Sequence, residues 1–135
     1  MKILIVGPDA ELCAITGKIL GRIGCGTVCR IANDGLSAAS ISRENIACEN
    51  AALVIAELEA DEAERIRFCK AVKSICSPPK LMIIGRSREE ETTMLNAGAD
   101  DWIEKPYITD VFLERVSALL GRCAAAAEVC EREEC

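Results

Sequence analysis

Short apolar runs alternate with amphipathic stretches along most of the chain. Residues 2–6, 27–32, 53–56, 81–84 and 102–104 are rich in Ile, Val and Leu and too short for helices, so they read as five strands. The first, third and fourth are apolar on both faces, the pattern of strands buried inside a parallel sheet. Between them lie helical periodicities. From Ala10 to about Arg22 the residues Leu12, Ile15, Ile19 and Ile23 recur at three- or four-residue spacing. A shorter helix over 36–43 follows the turn Asn33-Asp34-Gly35, and over 61–75 Ile66, Phe68-Cys69, Val72 and Ile75 form a stripe. Ser87-Arg88-Glu89-Glu90 reads as a capping box opening a helix that ends at Ala97-Gly98. Thr109 or Asp110 is the expected cap of a last helix that turns Phe112, Leu113, Val116, Leu119 and Leu120 inward. This rhythm predicts an α/β fold with a five-stranded parallel sheet and five flanking helices, joined by right-handed crossovers.

Composition narrows the function classes. At 135 residues the chain is expected to be essentially one domain (1–121), with a Cys-containing stretch, 122–135, as a helical extension or frayed tail. No apolar run approaches the roughly 18–20 residues of a membrane span, and no signal-peptide pattern opens the chain, so a cytoplasmic protein without membrane contact is expected. A net charge of −6 argues against a nucleic-acid partner. Histidine is absent, which removes the usual general base and the commonest zinc ligand. The nine cysteines, at 13, 25, 29, 48, 69, 76, 123, 130 and 135, contain no CxxC pair and fit neither a disulfide framework nor a zinc ribbon. They read as small core hydrophobes in a reducing compartment, with a redox or metal sensor as the competing use. Val6-Gly7-Pro8-Asp9 has neither phosphate-cradling glycine spacing, which argues against a nucleotide-binding enzyme.

In an open parallel sheet, ligands bind at the carboxyl ends of the strands. Those ends carry Gly7-Pro8-Asp9, Glu57, Gly85 and Lys105-Pro106. Together with the run Ala97-Gly-Ala-Asp-Asp-Trp-Ile-Glu-Lys-Pro-Tyr107 and the strands around Ile5 and Ile55, they make the chain, from Lys2 to about Arg122, resemble the CheY-like receiver domain of response regulators. The resemblance implies the flavodoxin-like strand order 2-1-3-4-5.

It also implies a site, and here the departures are as informative as the matches. Where the family has two acidic residues holding Mg²⁺, this chain has Gly7 and Pro8, with Asp9 just beyond as the expected cap of the first helix. The family's phosphoacceptor Asp corresponds to Glu57, and its reporting Ser or Thr to Gly85. Lys105 is kept before Pro106, where the family usually has a cis bond that turns the Lys over the site. A carboxylate one methylene longer misplaces its oxygens for in-line attack, and no metal would screen a transferring phosphoryl group.

The sequence therefore reads as a degenerate receiver, or pseudo-receiver, that is no enzyme, has no catalytic residues and takes no metal or cofactor. Its expected role is phosphorylation-independent binding of another signalling protein or of itself as a homodimer, with Glu57 reaching Lys105 in partial imitation of an acyl phosphate. A phosphorylatable receiver using Asp9, Glu57 or Asp61 is the alternative. Receivers commonly bind through their fourth helix, fifth strand and fifth helix, which places Trp102, Tyr107, Ile108, Val111 and Arg115 on the expected interface, Trp102 at the family's aromatic switch position.

Overall fold

The computed structural model describes residues 2–7, 10–31, 51–58, 61–75 and 77–121. Nine elements follow in chain order among them. They are β1 (Lys2–Gly7), α1 (Ala10–Gly21), β2 (Gly26–Ile31), β3 (Leu53–Ala56), α2 (Glu62–Lys73), β4 (Lys80–Gly85), α3 (Glu90–Asn96), β5 (Asp101–Glu104) and α4 (Thr109–Leu119). All five strands pair in parallel, in the order β2-β1-β3-β4-β5. The expected strand order and sheet are present. Four of the expected five helices fall on described residues; the one at 36–43, the tail 122–135, Pro8 and Asp9 lie outside them.

Strand alternation divides the core into two layers. Leu4, Val6, Val54, Ala56, Leu81, Ile83 and Trp102 face α2 and α3, where Phe68, Cys69, Val72 and Met94 meet them. The intervening residues Ile3, Ile5, Leu53, Ile55, Met82, Ile84 and Ile103 face α1 and α4, against Cys13, Leu20, Phe112 and Val116. Every central strand is thus apolar on both sides because both sides are covered, as the continuous apolar runs require.

Three helix readings need correction. In α1 Cys13, Thr16 and Leu20 are buried and Ile19 packs against the same layer, as Ile23 does just beyond the helix, whereas Ile15 is half exposed. The small residues set the approach: a Cβ on Gly17 would lie 3.1 Å from Thr27 Oγ1, so α1 sits close to β2 on a face that hydrophobicity alone does not mark. Ser87 does not cap α3. Its Oγ accepts from Glu89 N at 3.3 Å and its carbonyl from Glu90 N at 2.9 Å, closing a turn from which the helix starts three residues later, at Glu90. The N-cap of α4 is Ile108, without a side-chain bond, so neither Thr109 nor Asp110 holds that position. By contrast, Asp61 caps α2, its Oδ1 accepting from Glu64 N at 2.9 Å.

The segment that carries most of the sequence resemblance is a structural joint. Gly98 closes α3 at φ +122, where a Cβ would come within 2.9 Å of Lys73 Cγ. Asp100 Oδ2 then accepts from Leu81 N and from Lys73 Nζ, both at 2.8 Å, tying the start of β4, the end of α2 and the approach to β5 to one carboxylate. Asp101 Oδ1 accepts from Arg115 Nη1 at 3.0 Å, fastening α4 to the edge strand.

Cys69 lies fully inside the α2 layer, and burial pushes its thiol from 9.0 up to about 11. The native state therefore holds this proton more tightly than the unfolded chain does. That stability, roughly 2–3 kcal/mol, is complete below pH 9 and is lost as pH rises towards 11. A denaturation series from pH 8 to 11 should show that fall, and Cys69→Ala should flatten it. Alkylation of native protein near pH 8 should modify Cys69 far more slowly than a free thiol.

Candidate functional site

Period-two alternation explains how two charges meet at the carboxyl edge of the sheet. Glu57 stands two residues beyond Ile55 and Lys105 two beyond Ile103, so both continue the face that packs against α1 and α4. Their backbones are fixed by neighbours: Glu57 N donates to Val6 O and Lys105 N to Gly85 O, each at 2.8 Å. Lys105 reaches across the end of β4, the Lys105-Pro106 bond being cis, and its Nζ donates to Glu57 Oε2 at 2.9 Å. The contact anticipated from the sequence is present. Arg86 Nη2 adds a second cation 3.9 Å from the same oxygen.

Only 5 % of Glu57 is exposed, which makes it, with Thr16, a rare polar member of the interior. Its other oxygen, Oε1, is buried and has no hydrogen-bond partner among the described residues. On one side of Glu57 lies a cavity of about 10 Å³, room for roughly one water, bounded by Ile5, Gly7, Cys13, Thr16, Ile55 and Ile84 among others. On the other lies an open cleft of about 280 Å³ walled by Glu57, Leu58, Arg65, Gly85, Arg86 and Glu90.

The small cavity adjoins Gly7, at the place where the resemblance implies Mg²⁺. A hard cation of that kind takes several oxygen ligands. Among the described residues the lining is mostly hydrocarbon and sulfur, with Glu57 the one carboxylate, and a side chain grown on Gly7 would meet Cys13 Sγ at 3.2 Å. Among the described residues no group of three or more Cys, Asp or Glu could hold a metal ion. The donor set that the described residues supply does not fit magnesium. Asp61, one of the alternative acceptors, already has its carboxylate engaged as the cap of α2.

Two residues expected on an outer interface are turned inward. Trp102 is 2 % exposed and belongs to the α2–α3 layer, because it pairs in register with Ile83 and shares that strand's inward face. Tyr107 is half-buried, stacked on Phe112 with ring centroids 4.9 Å apart. Burial pushes its phenol upward, Lys105 opposes the shift and Glu57 adds to it, and a side-chain hydrogen bond joins it to Thr16. Tyr107 is thus a neighbour of the charged pair, a placement that aromatic composition alone could not reveal. Ile108, at 69 %, and Val111, at 38 %, are exposed as expected. Arg115 lies between, bonded to Asp101 Oδ1 and, at 2.9 Å, to Trp102 O.

Removing one partner from a buried ion pair costs more than replacing both, since the survivor stays charged and unpaired. Lys105→Met should lower unfolding free energy by about 3 kcal/mol, whereas the double variant Glu57→Gln/Lys105→Met should lose clearly less. Equilibrium urea denaturation of the four proteins in this cycle measures the coupling.

No family model matches the chain. Among curated proteins it is similar to the transcriptional regulatory protein CpxR of Escherichia coli, 27 % identical over 122 residues, which cover 90 % of this chain and 50 % of that one. The chain spans about half the length of the curated relatives it matches. These relatives are named as transcriptional regulators, so the expected exclusion of nucleic acid finds no support in them. Among solved structures it is similar to the BeF3-activated receiver domain of Klebsiella pneumoniae RstA, with a TM-score of 0.75 and 21 % identity over 89 % of this chain and 98 % of that one. A further neighbour, at TM-score 0.69 and 21 % identity over 90 % of this chain and 96 % of the other, is an atypical orphan response regulator reported to use a phosphorylation-independent regulatory mechanism. With the strand order, the layer pattern and these neighbours in agreement, the chain is a domain of the response-regulator receiver fold.

Proposed function

We propose that this chain is a degenerate receiver acting in two-component-type signalling through phosphorylation-independent contact with another protein, and not as an enzyme. The observation that carries this reading is the Glu57–Lys105 bond at 2.9 Å, formed where a phosphoacceptor would need to be free and beside a cavity to which no other described residue brings a carboxylate. The ammonium that would meet a phosphoryl oxygen is already bound by a carboxylate of the chain itself. Glu57 supplies one negative charge against nearly two for a phosphoryl group, so the imitation is partial but permanent. Gly7, Pro8 and Asp9 in this reading are the remnant of an acidic pocket, and Gly85 is the remnant of a hydroxyl switch. A solved neighbour described as regulating without phosphorylation supports the same direction.

The partner surface in this reading is the outer edge formed by β5 and the start of α4. Ile108 and Val111 expose apolar surface beside Arg115, a residue type enriched at interaction hot spots. The occupant is another signalling protein or a second copy of the chain. The net charge of −6 favours a protein over nucleic acid as partner of this segment. No helix among the described residues is long and apolar enough to cross a membrane, and the proposed setting is the cytoplasm.

Incubation with Mg²⁺ and acetyl phosphate should leave the intact mass unchanged, and a gain of one phosphoryl group near Glu57 would overturn the reading. Val111→Glu should abolish partner capture or self-association while changing stability by less than about 0.5 kcal/mol. Undiminished binding in a folded Val111→Glu protein would move the interface elsewhere.

A further inference from the structure

The open cleft of about 280 Å³ beside Glu57 is walled by side chains of both signs. Arg65 reaches it from the first turn of α2, Arg86 from the residue after β4, and Glu90 from the start of α3. The turn in which Ser87 O accepts from Glu90 N at 2.9 Å carries Glu90 over the end of β4. There its Oε1 lies 2.7 Å from the point where a Cβ on Gly85 would stand. The rest of the wall is apolar or bare, since Leu58 and Ile84 are buried and Gly85 has no side chain.

These charges share the cleft without closing on one another. Arg86 stands 3.9 Å from Glu57, whose nearer partner is Lys105, while the carboxylate of Glu90 forms no hydrogen bond or ion pair with any described residue. A singly charged ligand would therefore gain at one wall and lose at another, because an anion meets Glu90 and a cation meets two guanidinium groups. A molecule carrying both charges gains at both ends. The volume of about 280 Å³ falls just below the roughly 300–1,000 Å³ usual for small-molecule sites, which restricts the occupant to a few heavy atoms. We propose that the cleft is a binding site for a small zwitterion, an α-amino acid with a short aliphatic side chain. Its carboxylate would lie against Arg65 and Arg86, whose planar forks suit that group, its ammonium against Glu90, and its hydrocarbon over Leu58 and Ile84. Occupancy would join the starts of α2 and α3 across the end of β4, an input to the domain that needs neither metal nor phosphoryl transfer. The site leaves the Glu57–Lys105 bond intact, so the inference goes beyond the interface reading and is tested apart from it.

The test is a ¹H–¹⁵N NMR titration of the full chain with L-alanine and L-valine, each to about 50 mM at low ionic strength, where exposed charges are least screened. The amides of Gly85, Arg86 and Glu90 should move along saturable curves. Propionate, propylammonium and inorganic phosphate, which carry charge of one sign only, should each bind about tenfold more weakly than L-valine. Glu90→Gln should weaken L-valine about tenfold while leaving propionate unchanged or tighter, so that the two ligands become nearly equal. Arg86→Gln, at an exposed position, should weaken L-valine and propionate alike. Saturable shifts with neither amino acid overturn the proposal. So does propionate or phosphate binding to the wild-type protein as tightly as L-valine, which would make the cleft an anion site, and so does undiminished L-valine binding in folded Glu90→Gln.

Discussion

A carboxylate sealed from water has to be paired, and in this molecule that carboxylate is Glu57. With 5 % of its surface exposed it depends on Lys105, which arrives from the other side of β4 to donate at 2.9 Å. The bond closes the carboxyl edge of the sheet. It links β3 to the segment after β5, brings Tyr107 over the pair and leaves Arg86 as a more distant second cation. The rest of the described edge is arranged around this internal ion pair. Gly7 faces Cys13 across a cavity for about one water, and the larger cleft opens to the outside of Glu57.

Two glycines on that edge have opposite consequences. Gly7 brings no side-chain oxygen to the small cavity and lets Cys13 approach it. Gly85 removes a side chain and admits one, because the volume it leaves is filled by Trp102. The edge strand therefore presents its backbone and its flanking helix to solvent, with Ile108, Val111 and Arg115, while its largest side chain lies inside.

Much of this architecture was legible in the chain because strand burial on both faces writes a continuous apolar run. Strands β1, β3 and β4 announced themselves in that way, and period-two counting from Ile55 and Ile103 carries Glu57 and Lys105 to one face. Less legible was anything decided by small residues. The inward face of α1 follows Cys13, Thr16 and Gly17, not the bulkier Ile15. The family resemblance puts Trp102 on the outer face, whereas its register with Ile83 and the gap at Gly85 draw it in. The conspicuous run around Asp100 proved to be a joint between α2, β4 and β5, with its first carboxylate spent on Leu81 N and Lys73. A family signature of that kind marks the fold and says nothing of whether the site still works.

If Glu57 and Lys105 occupy each other permanently, as proposed, the site answers neither metal nor phosphoryl mimic. Two-dimensional ¹H–¹⁵N NMR of the full chain, recorded with Mg²⁺ alone and then with beryllofluoride, tests it most directly. The account predicts that the amides of Glu57, Gly85, Trp102 and Lys105 keep their positions throughout. Saturable displacement of those amides by beryllofluoride in the presence of Mg²⁺ would contradict it.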